Sequence, residues 1–431
     1  MIKKKTYNIA IVGLGNIGIN LYQHLINNKK NISKKNNINF NIKYVSAKNR
    51  LKKRRFVIPK NKWLKNYLDA SKKRDIDIVI ELIGGSDGAA KKLVFNSLKN
   101  KKHVVTANKA LIAKYGDQLS RIAEKNKVNL EFEASVAGGI PILRTIKEGL
   151  ATNSIHKVYG ILNGTCNYIL SEMENTGSSF KNALMKAQNL GYAEPGNPKL
   201  DLNGYDTLAK VKILSALAFN KKISKSKCMM EGIENIESKD FDMAEQLNLR
   251  IKLLGVTEMI NNQLFERVHP CLVKKNTYIA NVSGVMNAVI LEGKPVGESV
   301  LQGEGAGPGP TSSALMSDFL SILRGNIKFP FGLPNNVRKK VKIYDDKNYI
   351  NSLYLRFEVK DKPGVLSQIT KHLAKYKISI QRLIQIPNNT NKKASIIIIT
   401  HSVKENNSKK CLKSIISNKN IIKKPVLLRL F

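Results

Sequence analysis

Apolar runs separated by amphipathic stretches fill the first third of the chain. Four runs rich in β-branched residues predict buried strands, and two stretches between them repeat apolar residues with helical spacing. The predicted strands span residues 7–12, 40–47, 77–83 and 103–106, and the predicted helices span 16–26 and 93–100. Because strands that alternate with helices form parallel sheets with right-handed crossovers, we expect an α/β domain over residues 1–135.

The pattern changes after residue 136. Helical spacing over 208–219 is mixed with strand-like alternation such as that over 277–282. A glycine-rich stretch, 303–311, closes this region and precedes a predicted helix over 313–323. We expect an α+β catalytic and dimerisation domain over 136–300, with residues from about 300 to 327 belonging to the first domain.

The remaining residues show a third pattern. A segment rich in Pro, Gly and Lys predicts a linker over 328–350. An alternating strand then begins at Ser352, followed by a turn, an amphipathic helix that ends near Lys377, and two strands over 378–385 and 394–400. We expect residues 351–431 to form a small α/β unit of their own.

Charge is the one feature of the composition that stands out. The chain has 431 residues with a formal net charge of +41 and only four cysteines. Lysine is mixed with asparagine along the whole chain, as on solvated faces, and no nucleic-acid-binding signature accompanies it. So few cysteines cannot form a disulfide framework, and no run of about 18 apolar residues predicts a membrane span. We expect a cytoplasmic protein that binds neither membranes nor nucleic acid.

Three glycines follow the first predicted strand. Gly13 allows a tight turn, Gly15 lets a pyrophosphate approach the backbone, and Gly18 lets the helix pack closely on the strand. The helix begins at Asn16 and Ile17, where unpaired N–H groups favour a phosphate. This pattern between a strand and a helix predicts a Rossmann-type dinucleotide-binding domain.

The end of the second predicted strand bears on the choice of dinucleotide. An acidic residue there would bind the ribose 2′-hydroxyl of NAD, but this chain has Lys48 and Arg50, with further cations over 52–55. Cations suit the 2′-phosphate of NADP. NADP is therefore the predicted cofactor, with NAD as the alternative, and a general lysine bias would also explain these residues.

The densest polar cluster spans residues 191–206, named here the acidic loop. It carries Glu194, Asp201 and Asp206 and leads into a predicted helix. Asp206 and Lys210 are four residues apart, so they share one helix face. A capped surface helix with an ion pair is one interpretation, and a pocket for an ammonium or hydroxyl group is the other.

The acidic loop resembles the active-site segment of the homoserine dehydrogenase family. The resemblance extends, in the family's order, over residues 81–85, 104–111, 133–141 and 160–169. It implies reversible hydride transfer between NAD(P)H and L-aspartate 4-semialdehyde, which gives L-homoserine.

The resemblance implies a catalytic role for two lysines. Lys210 would donate a proton to the aldehyde oxygen as hydride arrives, and Lys109 would assist near the nicotinamide. An ammonium suits this step because it stabilises the developing alkoxide and also protonates it. Desolvation and a neighbouring cation would lower the pKa of Lys210, and Asp206 would oppose part of that shift.

Further site residues are implied in the same way. Substrate contacts would come from Glu194, Asp201, Asp206, Tyr192, Gly164 and Thr165. Gly84 would lie near the nicotinamide, and Gly305 would help to cover the cofactor. Many relatives carry adjacent acids where this chain has Leu200 and Asp201, which leaves the role of Asp201 less defined.

A monovalent cation, Na⁺ or K⁺, is also implied by the resemblance. Its ligands would be Glu133 and the backbone carbonyls around Val136, Gly138 and Ile140. A simple glycine-rich turn is the alternative, because carbonyl ligands have no sequence signature.

The C-terminal unit resembles an ACT domain, a βαββαβ module that binds amino acids. Gly364, at its first strand–helix turn, would let a ligand approach the backbone. The resemblance implies L-threonine as an effector and a homodimer or homotetramer, and an oligomerisation module without a ligand is the alternative.

Two other functions stay open at this point. Cys166 would be the nucleophile of an aldehyde dehydrogenase, although His156 is the one histidine near it in sequence. The other hypothesis is a non-catalytic Rossmann-type protein with a regulatory or nucleic-acid-binding role.

Overall fold

A parallel sheet forms the N-terminal part of the molecule. The computed structural model describes residues 6–54, 56–196, 198–325, 328–388 and 392–431, so Met1 to Lys5 and Arg55 lie outside it. The strands of this sheet are β1 (Thr6–Val12), β2 (Asn39–Ser46), β3 (Ile78–Glu81), β4 (His103–Thr106) and β5 (Leu130–Glu131). They lie side by side in the order β2-β1-β3-β4-β5, all parallel. The predicted α/β architecture is confirmed.

Helices connect these strands. They are α1 (Asn16–Asn27), α2 (Lys29–Asn36), α3 (Asp69–Lys72), α4 (Ala89–Lys99) and α5 (Lys109–Lys125). The loops that follow β1, β3 and β4 all leave from the carboxyl edge of the sheet, where parallel α/β sheets bind their ligands. Helix α2 occupies an Asn/Lys-rich stretch that separates α1 from β2 and lengthens the spacing between the glycine loop and Lys48.

A mixed sheet lies at the centre of the second region. The helices and strands of this region are α6 (Ile142–Arg144), β6 (Ser154–Ile161), α7 (Gly164–Thr176), α8 (Phe180–Asn189), α9 (Lys199–Leu202), α10 (Tyr205–Ala218), β7 (Met229–Met230), α11 (Ser238–Gln246), β8 (Leu249–Ile260), β9 (Gln263–Lys274), β10 (Met286–Lys294), β11 (Gly297–Glu304) and α12 (Pro308–Leu323). Helix α12 returns to the first sheet, where Phe319 packs edge-to-face on Phe40 at 5.1 Å.

The C-terminal unit has the predicted βαββαβ order, with two short additional strands. Its elements are β12 (Ile350–Asn351), β13 (Leu353–Lys360), α13 (Val365–Lys375), β14 (Ile380–Asn388), β15 (Lys393–Thr400), β16 (Val403–Lys404), α14 (Glu405–Ile416) and β17 (Val426–Leu430). Strand β17 pairs with β9, so the sheet is continuous in the order β11-β10-β6-β8-β9-β17-β13-β15-β14, with β7 beside β9.

The strand predicted over 277–282 is wrong. Ile279–Asn281 is a turn of 3₁₀ helix, in which the Asn281 side chain donates to the backbone oxygen of Thr277. Ile279, Ala280 and Val282 are buried against the mixed sheet. The apolar positions therefore reflect packing of a turn rather than the period of a strand.

The segment expected to be a linker lies against the folded regions, since Arg338 forms an ion pair with Asp117 at 2.8 Å. All four cysteines are free. Among the described residues, none of the helices is both long and apolar enough to cross a bilayer.

Candidate active site

The glycine loop lies between β1 and α1 and leaves space for a ligand at one position. Gly13 has φ of +111°, and a Cβ there would lie 2.3 Å from the Leu82 oxygen; at Gly18 it would lie 2.0 Å from the Gly13 oxygen. A Cβ at Gly15 would meet no atom within 4 Å. Gly13 and Gly18 thus permit close packing, while Gly15 faces open space, with Asn16 and Ile17 forming the first turn of α1. This geometry fits a bound pyrophosphate.

A positively charged cleft extends from this loop to the end of β2. Gly13 and Gly15 line it together with several cations, which are Lys48, Arg50, Lys52, Arg54 and Lys65. The guanidinium groups of Arg50 and Arg54 lie 5.5 and 5.1 Å from the centre of the Trp63 ring. The end of the cleft near β2 is therefore positively charged and suited to an anionic ligand.

Glu81 fixes the loop that contains Gly84. Its buried carboxylate accepts hydrogen bonds from the backbone N–H groups of Ile83 at 2.7 Å and Gly84 at 3.1 Å. The Thr106 hydroxyl donates to the same carboxylate at 2.6 Å. One side chain thus joins the loops after β3 and β4, and the sequence signal for it is an acidic residue that ends an otherwise apolar strand.

The two predicted catalytic lysines meet at one carboxylate. Asp206 lies in the first turn of α10, 2.8 Å from the Nζ of Lys210 and 2.5 Å from the Nζ of Lys109. Lys210 also donates to the backbone oxygen of Leu162 at 2.5 Å. Only 8% of the Lys210 side chain is exposed, compared with 42% of Lys109. The Lys109 side chain is therefore partly exposed to solvent, and Lys210 lies within the protein.

Burial and charge give these groups different affinities for protons. Burial lowers the pKa of Lys210; Asp206 opposes this shift and Lys109 adds to it. Burial lowers the pKa of Lys109, but Asp206, together with Asp201 and Glu194, outweighs this effect, so the pKa rises. Burial alone would raise the pKa of Asp206, but the two ammonium groups hold it well below its usual range. The site thus contains a permanently charged carboxylate and one lysine that gives up its proton more easily than a free one.

Asn163 connects the acidic loop to this group. Its side-chain amide donates to Asp201 at 2.8 Å and to Asp206 at 3.1 Å, while its oxygen accepts from the backbone N–H of Cys166 and caps α7. Burial and the charge of Asp206 raise the pKa of Asp201. Asn163 was not among the predicted site residues; an asparagine immediately before a glycine at a strand–helix junction is the signal that indicates it.

The other predicted substrate contacts surround this group. The Thr165 hydroxyl donates to the backbone oxygen of Tyr192 at 2.6 Å. A Cβ at Gly164 would lie 2.6 Å from the Val285 oxygen, so the first turn of α7 packs closely on the strand connection. Tyr192 and Glu194 are exposed, and the charge of Glu194 contributes to the raised pKa of Lys109.

The predicted cation turn is held by its own hydrogen bonds. The two carboxylate oxygens of Glu133 accept from the backbone N–H groups of Leu143 and Arg144, each at 2.8 Å. The Ile140 oxygen accepts from Ile142 at 2.8 Å. Among the described residues, no group of three or more His, Cys, Asp or Glu side chains could hold a metal ion. Cation binding by Glu133 and the carbonyls of residues 136, 138 and 140 stays a prediction.

Gly305 packs against this turn and against β10. A Cβ at Gly138 would lie 2.5 Å from the Gly305 oxygen, and a Cβ at Gly305 would lie 2.0 Å from the side chain of Asn287. The segment expected to cover the cofactor is therefore in direct contact with the cation turn.

Cys166 does not have the environment of a nucleophile. It is fully buried, its thiol donates to the backbone oxygen of Asp201 at 3.3 Å, and burial raises its pKa well above the usual range. His156 lies on β6 with its ring 3.7 Å from Glu292. A thiolate at Cys166 is thus disfavoured.

Comparisons with known proteins agree over the whole chain. Models of three protein families match: "Homoserine dehydrogenase, NAD binding domain" over residues 13–133, "Homoserine dehydrogenase" over 141–320 and "ACT domain" over 353–417. Homoserine dehydrogenase from Neisseria gonorrhoeae is 40% identical, with 95% of both chains covered, and that from Helicobacter pylori is 36% identical, with 99% of both covered.

A solved structure has the same fold throughout. The homoserine dehydrogenase from Thiobacillus denitrificans superimposes with a TM-score of 0.91 at 36% sequence identity, and 99% of each chain is covered.

Proposed function

Since the chain belongs to the homoserine dehydrogenase family and is an NAD(P)-dependent oxidoreductase acting on a CH–OH group, we propose that Lys210 donates the proton when L-aspartate 4-semialdehyde is reduced to L-homoserine. The observation that supports this role is the group formed by Lys109, Asp206 and Lys210, in which one buried carboxylate bonds two ammonium groups. Lys109 begins α5 directly after β4, at the edge of the sheet that carries the glycine loop.

The chain's own residues manage the charge of the reacting oxygen. NAD(P)H, when bound, supplies a hydride to the aldehyde carbon. As the C=O bond becomes a single bond, the Lys210 ammonium stabilises the negative oxygen and transfers a proton from Nζ to it. In the opposite direction, neutral Lys210 accepts the hydroxyl proton. Lys109 adds a second positive charge near the oxygen, and Asp206 keeps both lysines in place.

The acidic loop provides the complementary charge for the rest of the substrate. We propose that Glu194 and Asp201 bind its ammonium group, because they are the acids near the lysine pair that are not held in an ion pair with it. Gly164, Thr165 and Tyr192 would form the adjacent walls. Asp206 is already bonded to both lysines, so we assign it to positioning of the proton donor as well as to the substrate pocket.

NADP is the proposed cofactor, because Lys48 and Arg50 line the cleft at the end of β2. Replacing both residues with alanine should raise KM for NADPH about tenfold or more, since each charge-assisted bond to a phosphate contributes about 1.5–3 kcal/mol. KM for NADH should change little. Equal effects on the two cofactors, measured by steady-state kinetics, would contradict this assignment.

The test of Lys210 uses a matched lysine on the same helix. Lys210→Met removes the ammonium while keeping the length of the side chain, and kcat for semialdehyde reduction should fall by a factor of about 10² to 10⁴. Lys212 is the control, because its Nζ donates to the backbone oxygens of Ser224 and Ser226 rather than to the acidic group. Lys212→Met should keep kcat within about twofold, and a Lys210→Met protein with nearly full kcat would overturn the proposal.

Three further assignments belong to this proposal. The ACT domain would bind L-threonine at the loop around Gly364, which lines a surface cleft together with Asp361 and Gln385. The chain would assemble as a homodimer or homotetramer. A monovalent cation would be bound by Glu133 and by the backbone oxygens of Val136, Gly138 and Ile140.

A further inference from the structure

We propose that Arg429 and Glu231 are positioning residues for substrate binding, because they connect the last strand of the ACT domain to the acidic loop. Neither residue touches the lysine pair. The inference rests on the proposed role of the acidic loop in binding the substrate's ammonium group.

Arg429 is a buried arginine that bonds two carboxylates from different parts of the fold. Its Nη1 donates to Glu231 at 2.7 Å and its Nη2 to the other oxygen of Glu231 at 3.1 Å. Its Nε and Nη2 also bond both oxygens of Glu405, at 3.0 and 2.6 Å. Glu405 begins α14 of the ACT domain, whereas Glu231 follows β7 of the catalytic region. Arginine in this two-sided geometry fixes both partners in orientation as well as in distance.

The segment held by Arg429 forms the support of the acidic loop. Directly after Glu231, a Cβ at Gly232 would lie 2.3 Å from the Leu202 oxygen, and the backbone N–H of Ile233 donates to that same oxygen at 3.3 Å. Gly204 also packs closely on this segment, since a Cβ there would lie 2.9 Å from the side chain of Val268 and 3.2 Å from that of Met230, the residue before Glu231.

The supported residues include Asp201, one of the two proposed substrate acids. Asp201 precedes Leu202, and its backbone oxygen accepts from Gly204. The position of its carboxylate therefore depends on this stretch of backbone, which contacts residue 232 too closely to leave space for a side chain there. A shift of Glu231 would move this support, whereas Lys210 and Asp206 would keep their own ion pair on α10.

A second arginine joins the ACT domain to the catalytic region without reaching the acidic loop. Arg356 on β13 bonds Asp240 on α11 at 2.6 Å and lies 3.4 Å from Glu237. Glu237 also forms ion pairs with two lysines, but it matches Glu231 in exposure, since each is 38% exposed and each faces an arginine whose side chain is 1% exposed. This pair provides the control for loss of one carboxylate at the domain junction.

The experiment compares Glu231→Gln with Glu237→Gln in the full chain. Replacing Arg429 itself would remove the closest cation from the buried carboxylate of Glu405 and threaten folding, so the more exposed partner is changed instead. We expect Glu231→Gln to raise KM for L-aspartate 4-semialdehyde about five- to tenfold, because a less well placed loop binds substrate less tightly. Its kcat and its KM for NADPH should stay within about twofold.

The control separates positioning from general loosening of the domain junction. Glu237→Gln should leave all three kinetic constants unchanged while it shifts the urea midpoint at least as much as Glu231→Gln. The inference is overturned if Glu231→Gln leaves KM for the semialdehyde unchanged, or if both variants raise it equally. An inactive Lys210→Met enzyme together with a silent Glu231→Gln would remove this inference alone, whereas an active Lys210→Met enzyme would remove the proposed function.

Discussion

Asp206 determines how the two lysines share the site. It accepts bonds from both Nζ atoms while being almost fully enclosed, so the two ammonium groups can lie close together without strong repulsion. The same carboxylate opposes the burial that lowers the pKa of Lys210. The proton donor is thus held between two opposing effects, and removing one of them should move its pKa.

The variant Asp206→Asn tests this balance. Without the carboxylate, burial and the charge of Lys109 act on Lys210 with less opposition, and its pKa should fall further. The rate of semialdehyde reduction needs the protonated lysine, so it should begin to decline at a lower pH than in the wild type. The pH dependence of kcat/KM measures this shift.

Asp201→Asn is the comparison for that measurement, because Asp201 bonds Asn163 rather than either lysine. It should raise KM with a much smaller displacement of the pH profile. If the profile of Asp206→Asn coincides with that of the wild type, the assigned electrostatic role of Asp206 is incorrect.

At this scale the sequence predicts chemical types better than partners. The spacing of Asp206 and Lys210 places them on one helix face, and the structure shows the ion pair. The bond from Lys109 to the same carboxylate joins residues 97 positions apart. Asn163 bonds Asp206, and Glu81 bonds Thr106, which are also residues far apart in the sequence. Such contacts depend on packing of separate elements.

The elements around the cofactor cleft make a paired prediction about glycine. Gly15→Ala places its methyl group in open space, so the protein should fold with a melting temperature close to that of the wild type. The methyl group would occupy the route of the pyrophosphate, and KM for NADPH should rise at least about tenfold, which corresponds to about 1.4 kcal/mol. Steady-state kinetics and thermal unfolding measure the two effects.

Gly18→Ala should behave in the opposite way. Its methyl group would lie 2.0 Å from a backbone oxygen, so the helix must move away from the strand and the melting temperature should drop by several degrees. A Gly15→Ala enzyme with unchanged KM for NADPH would contradict the placement of the pyrophosphate at this turn.

Strong periodicity explains which elements were predicted. The strands β1, β2 and β4 were predicted to within one residue at each end, because apolar runs bounded by polar residues define them. The strand predicted over 277–282 is wrong, because the buried residues of a short turn at 279–281 produce the same alternation as a strand. Helix α12 begins at Pro308, five residues before the predicted start, because proline is compatible with a first helical turn.

Over the whole molecule, one sheet runs from the catalytic region into the ACT domain. The joint consists of β9 and β17, which pair in parallel at Cys271 and Arg429. It is reinforced by ion pairs from Arg356 to Asp240 and from Arg429 to Glu231. The sequence predicts the two units separately. It does not predict that two strands about 160 residues apart pair with each other, because this pairing depends on which strand edges the folded units present. The net charge of +41 has no assigned role as a whole, although Lys48 and Arg50 contribute to it and line the cofactor cleft.

The most direct test of Lys210 as the proton donor is the pH dependence of kcat/KM in both directions of the reaction. Reduction requires protonated Lys210 and oxidation of homoserine requires its neutral form, so the first should fall and the second should rise through one shared pKa below the value of about 10.4 for a free lysine. Both limbs should be absent from the residual activity of Lys210→Met. Limbs that run in the same sense, or that persist in that variant, would contradict the assignment of Lys210 as the proton donor.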